Sequence, residues 1–167
     1  MPIYTDGKYI EKGIHKQVEP NHLSAMRTGE IYAQLPAAQD MDNGVFAKYD
    51  YAAKDDGAVN FSGAGEWMLH FSEVKVYGPR ETDADFYIAK GQYPRLFKTH
   101  EGDIFTTDNV KIPENNKFEE YFTVGTELKI NAEGVLAKDG ESDMVWQVVK
   151  VYDLADGTPA VKVMRIQ

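Results

Sequence analysis

The chain has 167 residues, a formal charge of −9, four histidines and no cysteine. That length makes one domain the default and lets roughly 70% of the unfolded surface be buried, so a core needs no covalent help. The composition excludes disulfides, thiolate metal sites and a cysteine nucleophile. It argues against nucleic acid, whose phosphates need clustered Lys and Arg, and no apolar run approaches the ~20 residues of a membrane span.

The charge is unevenly placed. Residues 1–36 balance Lys8, Lys12, Lys16 and Arg27 against Asp6, Glu11, Glu19 and Glu30, so the negative excess lies beyond Pro36. A neutral end on an acidic body suits a protein that docks by that end; ordinary solubility explains the same pattern. The opening MPIYTDGKYIEKG has no apolar core, so no signal peptide is expected and assembly in the cytosol is the simplest reading.

Residues 1–29 show no sustained period and are broken by Gly7, Gly13, Pro20 and Gly29. They read as an extended N-terminal arm, with 30–167 as a single β-rich domain. The arm's apolar residues, among them Ile3, Tyr4, Tyr9, Ile10 and Ile14, are too frequent for a solvated tail. The arm either lies across its own domain or reaches a neighbouring subunit, and these five are the candidate partner-binding residues. A short helical turn over Asn21–Arg27, capped by Asn21, is expected.

From Glu30 the pattern turns to strand. Ile31, Ala33 and Leu35 alternate up to Pro36, and after the Asp42-Asn43-Gly44 turn Val45, Ala47, Tyr49 and Tyr51 alternate in a second run. The loop AAKDDGAVNFSGAGE belongs on the surface. Trp67–Tyr77 reads as a long strand or a strand pair whose apolar parity changes near Ser72, which predicts a bulge there. Asp85–Lys90 is a further strand, Leu96-Phe97 and Ile104-Phe105 are short apolar pairs, and 108–117 is a loop. The last third alternates β-branched runs with glycine turns. It predicts strands over Glu127–Ile130, Met144–Leu154 and Ala160–Ile166, the second long enough to bend or bulge, joined to the third by an Asp156-Gly157 hairpin. The fold expected is mostly β, an antiparallel barrel or sandwich.

A catalytic constellation is not expected. His15, His22, His70 and His100 are dispersed, and His70 reads as a satisfied structural histidine within an apolar strand. His100-Glu101-Gly102-Asp103 reads as an acidic turn before it reads as a metal site. The same holds for the Asp50–Asp56 loop, which lacks calcium-loop spacing, and for alternating Glu81, Asp83 and Asp85. Ser62-Gly63-Ala64-Gly65 lacks the lysine of a phosphate loop. No catalytic residue, metal site or cofactor is assigned. The ten tyrosines, eight phenylalanines and two tryptophans are more suggestive, since those not needed in a core form sugar- or protein-binding platforms.

The last third carries Val124-Gly125, Leu128, Ile130, Gly134, Leu136, then Val145–Val151, Asp156-Gly157 and Ala160–Ile166. This order of strands and turns is similar to the C-terminal parts of decoration (cement) and related head proteins of tailed bacteriophages. Asp42-Asn43-Gly44-Val45-Phe46 also looks like a stretch of such proteins, while 60–116 has no counterpart there. The resemblance implies a β-rich, non-enzymatic virion protein that binds an assembled capsid and stabilises it. Its partners would be the capsid lattice and copies of itself, with no nucleic acid and no membrane. The alternative is a small-ligand or carbohydrate-binding β-domain, resting on the aromatic load and the glycine-rich loop at 60–65; an enzyme on a β-barrel is the third reading.

Overall fold

The structure, a computed structural model, describes residues 15–53, 56–72 and 86–167, together with the backbone of 2–5 and 8–11. In chain order the elements are β1 (Pro2–Thr5), β2 (Lys8–Glu11), β3 (Val18–His22), α1 (Ala25–Thr28), β4 (Ile31–Tyr32), β5 (Phe46–Asp50), β6 (Ala58–Asn60) and β7 (Met68–His70). They continue with β8 (Leu96–Phe97), β9 (Ile104–Thr107), α2 (Phe118–Tyr121), β10 (Glu127–Ile130), β11 (Leu136–Ala137), β12 (Val145–Asp153) and β13 (Pro159–Arg165). The chain is mostly β and its strand pairs are antiparallel. One sheet runs β11-β10-β12-β13-β9-β3, a second runs β4-β8-β7-β5-β6, and β1 pairs with β2 in a sheet of its own. Neither larger sheet closes on itself among the described residues, so a closed barrel does not form and a sandwich-like arrangement is compatible.

The two larger sheets share a core. Trp146 and Val148 of β12, Val161 and Val163 of β13 and Phe105 of β9 pack with Phe46, Leu69 and Phe97 of the second sheet. Trp146 lies edge-on to Phe105 at 5.0 Å and tilted to Phe46 at 5.6 Å. The second sheet is buried on its other face too. There Ala47, Tyr49, Met68, Leu96 and Val59 meet Leu35, Ala37, Met41 and Val45, with Ile88 packed against them. Strand alternation sorts these sets: Phe46 and Leu69 face one way, Ala47 and Met68 the other, and each couple is paired across β5 and β7.

In β12 the register shifts between Val148 and Lys150. That bulge changes parity, so Trp146 and Val148 point inward before it and Val151 packs inward after it. Lys150 and Tyr152 are thereby left on the outer face. The Asp156-Gly157 turn closes the β12–β13 hairpin, with the Leu154 amide donating to the Thr158 carbonyl at 2.8 Å.

Several expectations are corrected. Residues 15–29, grouped with the arm from sequence, contribute β3, an edge strand hydrogen-bonded to β9, and α1, preceded by buried Leu23 and holding buried Ala25. Pro20 is compatible with β3 because an edge strand can lack one donor, and the register slips beside it. Asn21 lies in β3 and does not cap α1; Ser24 holds the N-cap position without a side-chain cap bond. The strand expected over Glu30–Leu35 is only β4, because the Gln34 amide turns to the Tyr49 hydroxyl at 2.9 Å and Leu35 enters the second core. Of Trp67–Tyr77, β7 covers three residues, and 73–77 lie outside the described residues. Of Asp85–Lys90, Asp85 lies outside the described residues, and among the rest only a bridge from Ile88 to Met41 forms.

Candidate functional site

The most connected polar cluster surrounds the Asp42-Asn43-Gly44 turn. Asn43, His70, Ser72, Thr107, Asp108 and Asn109 are all buried there. His70 Nδ1 lies 2.8 Å from the Asp42 carbonyl, which only accepts, so Nδ1 carries the proton and Nε2 accepts from the Ser72 hydroxyl at 2.8 Å. Burial pushes His70 down from 6.5 to about 4, against the opposing Asp42 hydrogen bond and charge. The Asp42 carboxylate binds His15 Nδ1 at 2.7 Å and the Lys16 amide at 3.1 Å, and His15 stacks on Tyr87 at 4.5 Å. Gly44 has φ +90, and a Cβ there would stand 2.6 Å from Thr107 Oγ1, so the turn requires glycine.

Serine, imidazole and an orienting carbonyl form the skeleton of a nucleophile and its base. Two features oppose that use. Ser72 is 4% exposed, and a histidine titrating near 4 is a weak base at neutral pH. The cluster instead satisfies groups that the turn buries between the sheets. The Gln17 amide donates to Asp108 at 2.7 Å, Thr107 Oγ1 donates to the Gln17 carbonyl at 2.7 Å, and Asn109 Nδ2 donates to the Asn43 carbonyl at 3.0 Å.

The histidine and the aspartate of the His100–Asp103 turn do not converge. His100 Nε2 is 2.6 Å from Glu30, whereas buried Asp103 accepts from the Ser24 amide at 3.1 Å, the Ser24 hydroxyl at 2.9 Å and the His100 amide at 3.0 Å. Histidine ring and aspartate in that turn thus face different partners. Among the described residues, no group of three or more His, Asp or Glu is placed to hold a metal ion, and no helix is long and apolar enough to cross a membrane. Glu81, Asp83 and Asp85 lie outside the described residues.

A groove of about 550 Å³ opens beside β5. Tyr32, Tyr49, Tyr51, Asp50, Glu66 and Met68 are among its lining residues. Tyr49 meets Tyr32 at 5.6 Å and 75°, and Tyr51 at 5.8 Å and 84°. Tyr51 is 71% exposed and Tyr32 38%, while Tyr49 is buried, its hydroxyl pushed up by burial. Ala64, Gly65 and Glu66 of the glycine-rich loop also line the groove, and the loop is fastened down. Asp50 accepts from Asn60 Nδ2 at 2.9 Å, and Asn60 Oδ1 accepts from the amides of Ser62 at 3.1 Å and Gly63 at 2.9 Å. A Cβ on Gly63 would come within 2.9 Å of Asp50, so glycine lets the loop lie against β5. A second groove of about 390 Å³ adjoins it through Gly65 and Glu66 and includes Lys48, Trp67, Asp143 and Arg165.

The outer face of the six-stranded sheet carries one further cluster. The Tyr152 hydroxyl donates to Glu19 at 2.9 Å and lies 2.8 Å from Thr106 Oγ1, with Lys150 and Lys162 over its ring at 4.8 and 5.6 Å. Thr106 also meets Asn21 at 2.7 Å. Two hydroxyl protons cannot serve three contacts unless Asn21 presents its NH₂, which makes a chain from Asn21 through Thr106 and Tyr152 to Glu19.

The partner-binding candidates Ile3, Tyr4, Tyr9 and Ile10 fall in the β1–β2 hairpin, whose register sets Ile3 opposite Ile10 and Tyr4 opposite Tyr9. Ile14 lies outside the described residues. The tyrosine groove is not legible in the sequence. The alternation of Tyr49 and Tyr51 was visible, but Tyr32 joins them only through the order β4-β8-β7-β5. No family model, no curated protein and no solved structure matches the chain significantly.

Proposed function

We propose that this chain is a non-enzymatic structural protein of a virion, a capsid decoration or head accessory protein. It is assembled in the host cytoplasm and docks a β-sandwich on the shell through its N-terminal arm. The reading rests on the resemblance in the last third and on one observation: β1 and β2 form a sheet apart from the two sheets of the body. An isolated two-stranded hairpin is marginal in water and gains stability from a surface that covers it. The register sets isoleucine opposite isoleucine and tyrosine opposite tyrosine in this hairpin, and a lattice with many copies lets avidity offset weak single contacts. The partners are the capsid lattice and neighbouring copies of this chain, with no nucleic acid or membrane component.

The test is co-sedimentation of the protein with assembled shells of the cognate phage, comparing the full chain with one lacking residues 1–14. The truncation should abolish binding and leave the body folded. Undiminished binding of the truncated chain would remove the docking role of the hairpin.

A second reading, a small-ligand or carbohydrate-binding β-domain, is favoured by the tyrosine groove and its fastened glycine-rich wall. The two readings are compatible, since hairpin and groove are different parts of the chain.

A further inference from the structure

Resting on that second reading, we infer that the Tyr32–Tyr49–Tyr51 groove takes a compact organic cation, an alkylated ammonium group, in preference to a sugar. Its volume, about 550 Å³, lies within the ~300–1,000 Å³ of small-molecule sites. Three features choose the ligand class.

The first is the disposition of the rings. Tyr49 stands at 75° to Tyr32 and at 84° to Tyr51, so neither exposed ring is coplanar with Tyr49. A sugar ring stacks by one apolar face on one aromatic plane. A cation is attracted to the face of every ring it touches and gains from rings set at angles.

The second is charge. The charged residues among the described lining are Asp50 and Glu66; Lys98 is paired with Glu66 at 3.4 Å, and Lys48, in the adjoining groove, sits over the Trp67 ring. The described lining is therefore acidic on an acidic chain, which favours a cation over an anion.

The third is hydrogen bonding. Both Asp50 oxygens are engaged, one by the Ala52 amide at 3.0 Å and the other by Asn60 at 2.9 Å, and the Tyr49 hydroxyl accepts from the Gln34 amide at 2.9 Å. A saccharide needs several polar partners to replace its water. A methylated ammonium needs charge and polarisable contact, which the rings and Met68 provide. The adjoining groove shows the same chemistry within the chain, where Lys48 Nζ sits 4.4 Å from the Trp67 ring centre.

The experiment titrates the full chain with choline, with its uncharged isostere 3,3-dimethylbutan-1-ol and with methyl glucoside, each followed by ligand proton NMR and by protein fluorescence. Saturable choline binding is expected, at least ~10-fold weaker for the alcohol because cation–π attraction is lost. Tyr51→Leu, at an exposed position that keeps apolar bulk, should weaken choline ~5- to 10-fold without shifting the melting temperature. Binding of the glucoside alone, or of alcohol and choline equally, would overturn the cation assignment and leave the groove a ligand site. Choline binding unaffected by Tyr51→Leu would show that the cation sits elsewhere. No binding of any probe would sink both the inference and the ligand-binding reading.

Discussion

The side chain of Asn43 pairs with the backbone of Ser72 in both directions: Asn43 Nδ2 donates to the Ser72 carbonyl at 3.2 Å, and the Ser72 amide donates to Asn43 Oδ1 at 2.8 Å. An asparagine amide here stands in for a strand residue just beyond the end of β7, and it ties the turn before β5 to that strand end. Replacing Asn43 by Ala leaves a buried donor and acceptor without partners. The expected loss is about 2–4 kcal/mol in urea unfolding. Asn43→Asp should be no milder, since it sets a carboxylate oxygen against the Ser72 carbonyl. A loss under about 0.5 kcal/mol would show that the pair contributes little.

His70 gives the fold an acid sensitivity. In the unfolded chain it titrates near 6.5 and in the folded chain near 4, because burial disfavours its charged form. Between those values the unfolded state binds more protons, so stability falls as pH drops through the window and levels off below it. The full span is about 3 kcal/mol. Burial raises Asp108, which acts in the opposite sense nearer pH 4, so the slope is best read between pH 6.5 and 5.5. Urea midpoints for the native chain and His70→Asn should diverge in slope over that interval, and parallel slopes would refute the assignment.

Asp103 fastens α1 to the turn between β8 and β9 by accepting from Ser24 twice and from the His100 amide. Asp103→Ala should cost about 2–4 kcal/mol by leaving those donors unpaired. Asp103→Asn should cost roughly half as much, because one oxygen can still accept at the position that now serves both the Ser24 hydroxyl and the His100 amide. Equal losses in the two variants would mean that the carboxylate charge outweighs the bond count. Thermal unfolding of both decides between them.

Two truncations separate arm from body. Removing residues 1–14 should leave the melting temperature of the body within about 2 °C of the full chain. Removing residues 1–28 takes away β3, Leu23, Ala25 and Ser24, the partner of Asp103. It should destabilise by at least about 4 kcal/mol. If the longer deletion is harmless, β3 contributes no stability to the sheet.

How far the chain explains itself differs from one stretch to the next. Its last third was legible because its information is local. In Val145–Asp153 and Pro159–Arg165, side-chain period and an Asp-Gly turn fix strand, register and hairpin from neighbouring residues alone. The absence of cysteine and the acidic balance bounded the chemistry in the same direct way. The first 29 residues were less legible: a run with Pro20 and isolated apolar residues looks like an arm until β9 offers an edge on which Val18–His22 can pair. The brevity of β4 and β7 was hidden for the same reason, since a side chain from a distant turn, Asn43, and a hydroxyl from β5, Tyr49, take the bonds that a longer strand would have used.

The tyrosine groove is the clearest product of tertiary structure. Tyr49 and Tyr51 share one strand-to-loop run, but Tyr32 and the Ala64–Glu66 wall arrive through sheet order and through the Asp50–Asn60 hydrogen bond. Period and turn chemistry determined which segments are strands, because those signals act over a few residues. Only the folded chain decided which strands lie side by side and what gathers between them, because pairing across long loops depends on the burial and hydrogen bonding of the whole.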